Sequence, residues 1–343
     1  MRYLVTGCAG FIGSTVSAML LNQEHDVVGI DNLNDAYDVR LKEWRLEQLQ
    51  GRQNFQFHHL DIADRAALQT AISNMQASNP TNPLEGIVNL AARAGVRQSV
   101  EDPWTYYQNN VIGTLNLLEA CKDFGIAKFI QASTSSVYGS RVRPKDLKEP
   151  ARPHKLNKPF REEDSTDRPL SPYAASKKAS EVLCHSYHHL YGLDLTVFRF
   201  FTVYGPAGRP DMSVFRFIKW IDSGEPVSVH GDGLQERDFT YVDDIARGVV
   251  AAIKLSGFNV INLGGARPVQ LIEMIRMVES LLGKKANLSY FPADPTDVTA
   301  TWADISKAHR LLSWSPQTPL EDGLASAVEW HQQNREWIQH TPT

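Results

Sequence analysis

Glycines at positions 7, 10 and 13, between the apolar run Tyr3–Thr6 and a helical pattern over Ile12–Leu21, constrain this chain more than any other feature. The segment Gly7-Cys8-Ala9-Gly10-Phe11-Ile12-Gly13 reads G-x-x-G-x-x-G directly after a strand and at the opening of a helix. Glycine there permits a tight turn and lets the backbone approach a pyrophosphate, which the free N–H groups of the helix start then bind. Asp31 stands 18 residues after Gly13, at the end of the next strand pattern, Asp26–Ile30. A carboxylate in that place accepts both hydroxyls of an adenosine ribose and repels a 2′-phosphate, which favours NAD over NADP. Cys8, with nothing basic beside it, reads as a small filler rather than a reactive thiol.

Further short apolar runs follow at Phe55–His58, Gly86–Leu90 and Phe129–Ala132, alternating with helical stretches such as Asn109–Phe124. This rhythm predicts an α/β fold with a doubly wound parallel Rossmann sheet, whose strands are apolar throughout because both faces are covered. Leu195–Phe200 and Val260–Leu263 are expected to extend the same sheet. Asp61-Ile62 and Leu90-Ala91-Ala92 then lie at carboxyl ends of strands, where such a fold holds its ligand. Turn-rich segments at Gly205–Pro210, Gly231–Gly233 and Pro292–Pro295 predict a smaller, discontinuous C-terminal substrate lobe.

A length of 343 residues suits about two structural units at roughly 150 residues each. The net charge of −4 supplies no field to recruit nucleic acid, and no apolar run is long enough to span a membrane. Cys8, Cys121 and Cys184 have neither disulfide nor zinc spacing, so no metal is expected and a reducing, cytoplasmic setting fits. No secretory pattern precedes the first strand. From Arg141 to Arg161 the chain carries eight Lys/Arg, two acidic residues and four prolines. That density forbids a long helix. The segment is either a solvated loop or one that meets a polyanionic partner or the substrate mouth.

Ser133-Thr134-Ser135-Ser136 closes the Phe129–Ala132 run, and Tyr173-Ala174-Ala175-Ser176-Lys177 follows about forty residues later. Tyrosine and lysine at i and i+4 share one face of a helix. An ammonium beside a phenol of ordinary pKa ~10, together with a positive nicotinamide ring, favours the phenolate and lets it act as a base. Thr134 can hydrogen-bond the substrate oxygen whose proton moves. Each piece alone has a plainer reading, as helix surface or as a cap; together they define a site for hydride transfer.

The chain resembles the extended short-chain dehydrogenase/reductase family, specifically its nucleotide-sugar epimerases, and most closely those acting on UDP-glucuronate. The resemblance runs through Gly7–Gly13, Asp31-Asn32, Leu90-Ala91-Ala92, Asn109-Asn110-Val111, Ser133–Gly139, Tyr173–Lys177, Arg199–Pro206 and Arg237–Asp244. It implies Thr134, Tyr173 and Lys177 as catalytic residues. It also implies NAD held by Gly7, Gly10, Phe11, Ile12, Gly13, Asp31, Asn32, Asp61, Ile62, Leu90, Ala91, Ala92, Asn109 and Phe200, beside Tyr173 and Lys177. Residues 1–200, joined by about 234–265, would form the NAD-binding domain. Residues 201–233 and 266–343 would form the nucleotide-sugar lobe.

Related dehydratases place an Asp-Glu pair after the threonine, whereas this chain has Ser135 and Ser136, which disfavours elimination. The resemblance implies that Ser135, Thr202 and Arg209 hold a sugar carboxylate, and that Ser136 also lines the sugar site. Arg209 could instead pair with Asp211 or meet a diphosphate. Oxidising C4 of a uronate yields a β-keto acid that readily loses carbon dioxide, so the carboxylate must be restrained. Arg237 matches the family's diphosphate arginine, with an ion pair to Asp238 or Asp243 as its plainer reading. Asp297 resembles the acid at the uridine ribose. Departures at Arg93, in the long basic 141–161 segment and at Gly231-Asp232-Gly233 leave the sugar open, to a modified uronic acid, a different nucleotide, or a neutral UDP-hexose or UDP-N-acetylhexosamine; a dehydratase or decarboxylase and a non-catalytic NAD-binding regulator stand as separate alternatives. The resemblance further implies a homodimer through the helix after Asn109 and the tyrosine helix, where Val182, Leu183, Tyr187 and Leu190 could form an apolar stripe.

Overall fold

In the computed structural model, which describes residues 1–140, 158–294 and 296–343, the chain opens on strand β1 (Arg2–Thr6). The basic, proline-rich stretch noted above lies, from 141 to 157, outside the described residues. Along β1 the side chains alternate: Tyr3 and Val5 enter one apolar core and Leu4 the other. Helix α1 (Phe11–Asn22), β2 (Asp26–Asp31), α2 (Val39–Glu47), β3 (Phe55–His59), α3 (Arg65–Ser78) and β4 (Leu84–Asn89) follow. Short helices α4 (Gln98–Glu101) and α5 (Pro103–Tyr107) then lead into α6 (Gly113–Phe124). The helix expected from Asn109 onward therefore begins with a π-helical turn, Gln108–Ile112. Within that turn the buried Asn110 amide is bonded to both backbone groups of Arg93 and to Ser176 Oγ, tying the wider turn to the end of β4 and to α7.

Strand β5 (Lys128–Thr134) runs into a 3-10 turn, Ser135–Tyr138, and helix α7 (Pro172–Tyr191) precedes β6 (Asp194–Phe200). Ser171 caps α7 by accepting from Ala174 N–H, and left-handed Gly192 ends it. The remaining elements are β7 (Thr202–Tyr204), α8 (Ser213–Ser223), β8 (Pro226–His230), β9 (Glu236–Tyr241), α9 (Val242–Ala251), β10 (Phe258–Leu263) and β11 (Pro268–Gln270). Then come α10 (Leu271–Leu282), β12 (Asn287–Phe291), α11 (Ser306–Leu312), α12 (Leu320–Gln333) and α13 (Arg335–Ile338).

Seven parallel strands form one sheet in the order β10-β6-β5-β4-β1-β2-β3, so the expected late strands do extend it. Winding reverses between β1 and β4, and the crevice outside their carboxyl ends is where such sheets bind ligands. Val16 and Leu20 of α1 pack with Ile245 and Val249 of α9 over one face. Leu68, Leu117, Leu118 and Cys184, from α3, α6 and α7, cover the other. A separate core, with Phe217, Val229, Met274 and Leu324, lies under α8, α10 and α12. It backs a three-stranded sheet, β11-β9-β7, and a two-stranded one, β12-β8. Strand β9 belongs to the small sheet, whereas β10 returns to the large one.

The apolar stripe expected on α7 divides in two. Val182 and Leu190 are 54% and 64% exposed, whereas Tyr187 is buried against its own chain and donates to Glu119. Leu183 packs on the same core as Tyr187.

Arg45 of α2, 2% exposed, ties the glycine loop to the turn ahead of Arg209. Its guanidinium donates to Ala207 O (2.7 Å), Gly208 O (3.1 Å), Ala9 O (3.3 Å) and Tyr37 Oη (2.7 Å). Replacing it with methionine strands these acceptors in a dry interior, so Arg45→Met is expected to cost about 2–4 kcal/mol. Guanidinium unfolding of the two proteins measures that difference, and an unchanged midpoint would show that the joint does not depend on Arg45.

Candidate active site

The glycine turn is built by exclusion. A Cβ on Gly13 would sit 1.9 Å from Gly7 O, and one on Gly7 would meet Ala91 N at 2.8 Å. Gly7 also adopts a left-handed φ of +69°. The loop is thereby drawn against the end of β4, and no side chain caps the first turn of α1. Its N–H groups are left as an anion-binding end at the switch point, which fits a dinucleotide pyrophosphate. Asp31 is 7% exposed and anchored by accepting from Ala9 N–H (3.1 Å) and Leu33 N–H (2.9 Å). Asn32 donates to Asp61 at 2.9 Å, joining the ends of β2 and β3. Cys8, Cys121 and Cys184 are buried and unpaired with one another, and burial pushes each thiol well above its usual range.

Every residue singled out for chemistry, cofactor or substrate lines one cavity of about 530 Å³. The glycine loop, Asp31, Asn32, Asp61, Ile62, the segment Leu90–Ala92, Asn109 and Phe200 lie along it. So do Thr134, Ser135, Ser136, Tyr173, Lys177, Thr202, Arg209, Arg237 and Asp297. The cavity thus runs from the carboxyl edge of the large sheet into the smaller lobe.

At its centre Tyr173 and Lys177 stand one turn apart on α7, and Thr134 ends β5. The Tyr173 ring meets Tyr106 edge to face at 6.0 Å between centroids. Burial raises the Tyr173 pKa above its ordinary value, while hydrogen bonding with Thr134 and the charge of Arg209 act the other way. Among the protein's own groups burial wins; the phenolate expected from the sequence rests on the lysine together with a positive nicotinamide ring. Burial also pulls Lys177 down to about 8, against Cys184 and Glu181. Thr134 Oγ1 donates to Ser136 Oγ at 3.1 Å and accepts from Ser136 N–H at 3.2 Å, which fixes its rotamer.

Carboxylates hold most of the cavity's arginines. Arg209 adopts the alternative reading of the sequence, a two-pronged pair with Asp211 at 3.0 and 2.6 Å, and also donates to Ala94 O at 3.2 Å. Arg237 does not pair with Asp238 or Asp243. Asp238 is fully buried and takes N–H groups of Ala266 and Ala303. Arg237 instead faces Asp297 at 3.9 Å, and Arg97 binds Asp294 and Asp297 at 2.9 and 3.0 Å. Asp297 therefore sits between two guanidinium groups at the rim.

Several lining residues had no assigned part in the sequence. Lys42 of α2 is 5% exposed, donates to Asn34 O (2.7 Å) and Asn34 Oδ1 (2.8 Å), and is pulled down to about 8 by burial despite Asp31. Its position 11 residues beyond Asp31 was the available signal. Arg216 and Trp220 of α8, His230 and Gln235 also face the cavity. They come from lobe elements whose strands are too short to read from periodicity.

A dinucleotide fold with a Tyr/Lys/Thr centre facing a basic, lobe-covered cavity defines a class of oxidoreductive enzymes on sugar nucleotides. The chain belongs to the NAD dependent epimerase/dehydratase family, which it matches over residues 3–264. It is 51% identical over 337 residues to a UDP-glucuronate 4-epimerase of Thermodesulfobacterium geofontis, covering 98% of each chain. It superposes on the UDP-glucuronic acid 4-epimerase of Bacillus cereus, solved with UDP-glucuronic acid and NAD, with a TM-score of 0.86 and 39% identity over 97% of this chain and 100% of that one. A dTDP-glucose 4,6-dehydratase from Streptomyces venezuelae, solved with NAD bound, also gives a TM-score of 0.86, at 28% identity over 98% of each.

The glycine geometry yields a direct test. Gly7→Ala forces a Cβ into the backbone of Ala91, so the purified variant is expected to lose its retained NAD while keeping its far-ultraviolet circular dichroism. Dinucleotide released on acid precipitation measures this, and an undiminished NAD content would refute the assignment of the loop.

Proposed function

We propose that the chain is an NAD-dependent isomerase that interconverts UDP-glucuronate and UDP-galacturonate at C4 of the sugar. The observation that carries this reading is the joining, in one cavity, of the Thr134/Tyr173/Lys177 set with Ser135, Thr202 and Arg209 and no acid after Thr134. NAD lies on residues 1–200, with α9 and β10 returning to the same large sheet, while β9 and its Arg237 join the lobe that takes the sugar nucleotide. Gly7–Gly13 take the pyrophosphate, Asp31 the adenosine ribose, and Lys42 stands beside it.

Bound NAD supplies the acceptor for hydride from C4, returns it in the second half-reaction, and brings a positive ring beside the phenol. Tyr173 takes the C4 hydroxyl proton, Thr134 hydrogen-bonds the same oxygen, and the Lys177 ammonium stabilises the phenolate. Inversion requires reduction from the opposite face, so the keto sugar must turn while its nucleotide stays anchored. Arg237 holds the diphosphate for that purpose, with Asp297 turning to the uridine ribose as the arginines exchange partners.

Three of the five Arg209 N–H donors are used by Asp211 and Ala94, and the remaining ones are available to a sugar carboxylate. Thr202 and Ser135 complete that clamp. A carboxylate held by hydrogen bonds is kept from turning its C–C bond into line with the neighbouring ketone, which suppresses loss of carbon dioxide.

The exposed Val182, Leu190, Tyr191 and Ile112 of the α6 and α7 region suit a homodimer of the kind expected from the sequence. No helix among the described residues is long and apolar enough to cross a membrane, and we place the enzyme in the cytoplasm.

Proton NMR of UDP-glucuronate with purified protein and no added cofactor tests the reading. A new anomeric signal of UDP-galacturonate is expected. A pentose product, or turnover of UDP-glucose or UDP-N-acetylglucosamine without the uronate, would overturn it. Arg209→Ala is expected to raise KM for the uronate roughly 10- to 150-fold, the equivalent of one charge-assisted hydrogen bond. It is also expected to release labelled carbon dioxide. Neither effect would mean that Arg209 serves only Asp211.

A further inference from the structure

Behind the catalytic face of α7 lies a buried ion pair that none of the steps above employs. Glu181 is 4% and Arg199 3% exposed. Arg199 Nε donates to Glu181 Oε1 at 3.0 Å and Nη2 to Oε2 at 2.8 Å. Ser133 Oγ donates to the same carboxylate at 2.6 Å. Arg199 also donates to Tyr138 Oη at 3.1 Å and Glu162 O at 3.0 Å, and Tyr138 donates to Asn262 at 2.7 Å.

The register explains why this place matters. Ser133 and Arg199 are cross-strand neighbours on β5 and β6, and the next pair in register is Thr134 with Phe200. Tyr173, Lys177 and Glu181 follow at i, i+4 and i+8 along one stripe of α7. Glu181 therefore grips two strand ends one residue before Thr134 and Phe200, one turn beyond Lys177. Burying such a pair is costly, and an apolar substitute of similar volume is often as stable. Stability alone gives no reason for it.

Resting on the function proposed above, we infer that Glu181 and Arg199 are positioning residues that set the charge on Lys177 and hold Thr134 in register with Tyr173. The Glu181 carboxylate supports the ammonium, and Arg199 limits that support while pinning β6. The groups facing Lys177 can be named: Tyr173, Glu181 and Cys184 on its own helix, with Lys178 3.6 Å from Glu181. Behind them, Arg199 of β6 reaches the network through Glu181, Tyr138 of the 3-10 turn through Arg199, and Cys121 of α6 through Cys184. The thiols and Tyr138 are pushed up by burial and stay neutral through the range in which Lys177 titrates. Beside Tyr173, which the variants below leave unchanged, the charged groups of this network are Glu181, Arg199 and the partly exposed Lys178.

The sign follows from the charges. A lysine that must stay protonated gives a rate that falls as pH rises through its pKa. Glu181→Gln leaves Arg199 unneutralised, so the alkaline limb of kcat/KM is expected to move down by about one pH unit. Arg199→Met leaves the carboxylate unopposed and is expected to move it up by a similar amount. Glu181→Met/Arg199→Met, which removes both charges and avoids a lone buried ion, should fall between them and keeps the test open if a single variant does not fold.

The pKa of Lys177 is read directly by NMR of 13C-lysine-labelled full-length protein, with Lys177→Met assigning the signal. Opposite displacements in the two single variants, mirrored in the rate profile, support the inference. Displacements of the same sign, or none, overturn it. Because the lysine titration needs no turnover, absence of epimerase activity would count against the proposed reaction without touching this result.

Discussion

The closest backbone approach in the site governs the rest: the carbonyl of Gly7 lies where a side chain on Gly13 would begin. That contact seats the first turn of α1 directly over the end of β1, and Gly7 in turn abuts the end of β4. The uncapped N–H groups of α1 are thus presented at the one place where the order of the sheet reverses. Asp31 closes the arrangement from β2 by accepting from Ala9 within the same loop. A carboxylate so anchored presents a fixed acceptor to a ribose, at little entropic cost on binding. The chemical centre is then measured from this frame, because β4, β5 and β6 follow outward from β1 and carry Ala91, Thr134 and Phe200 at their ends.

Much of this was legible in the sequence, for a physical reason. Parallel strands buried on both faces must be short apolar runs, and phosphate-binding turns must be glycine at fixed spacing. Local pattern alone therefore reports β1, α1, β2 and the other strands of the large sheet to within two residues. Tyr173 and Lys177 were equally readable because a helix converts a spacing of four into a shared face. What escaped was set by contacts remote in sequence. Arg45 reads as one more polar helix residue, and only the fold reveals that it bonds a turn 162 residues away. The π-helical turn at Gln108–Ile112 has no signature in its own residues, and the partners of its Asn110, Arg93 and Ser176, lie outside it in sequence. The apolar stripe on α7 splits for a related reason: Tyr187 and Leu183 face the chain's own core, where Tyr187 donates to Glu119 on α6, while Val182 and Leu190 stay exposed.

Electrostatics in the lobe follow a common pattern. Arg209 is held by Asp211, Arg97 by Asp294 and Asp297, and Arg237 is faced by Asp297. Isolated guanidinium groups in a half-buried cavity would repel one another and pay for desolvation unaided. Internal carboxylates supply interim partners that keep the cations folded and aimed. A ligand carrying its own anions can then replace an internal partner rather than create a new ion pair, so binding becomes an exchange. Exchange costs less reorganisation than ordering free arginines, and it discriminates sharply against neutral ligands, which would break a pair without replacing it.

The same frame superposes as well on a dehydratase as on an epimerase, so the frame does not choose the reaction. Selection falls to a few side chains added at the strand ends. After Thr134 this chain places two hydroxyls, which can donate to a sugar oxygen but cannot drive elimination at neutral pH. Across the cavity, Thr202 opens β7 and Arg209 sits in the turn that Arg45 braces, so the polar lining opposite Thr134 depends on both halves of the molecule. In the function proposed above, C4 of the sugar is oxidised to a ketone. What becomes of the ketone depends on which neighbouring atoms are held still, and hydrogen-bonding side chains that hold a carboxylate leave it little course but to be reduced again.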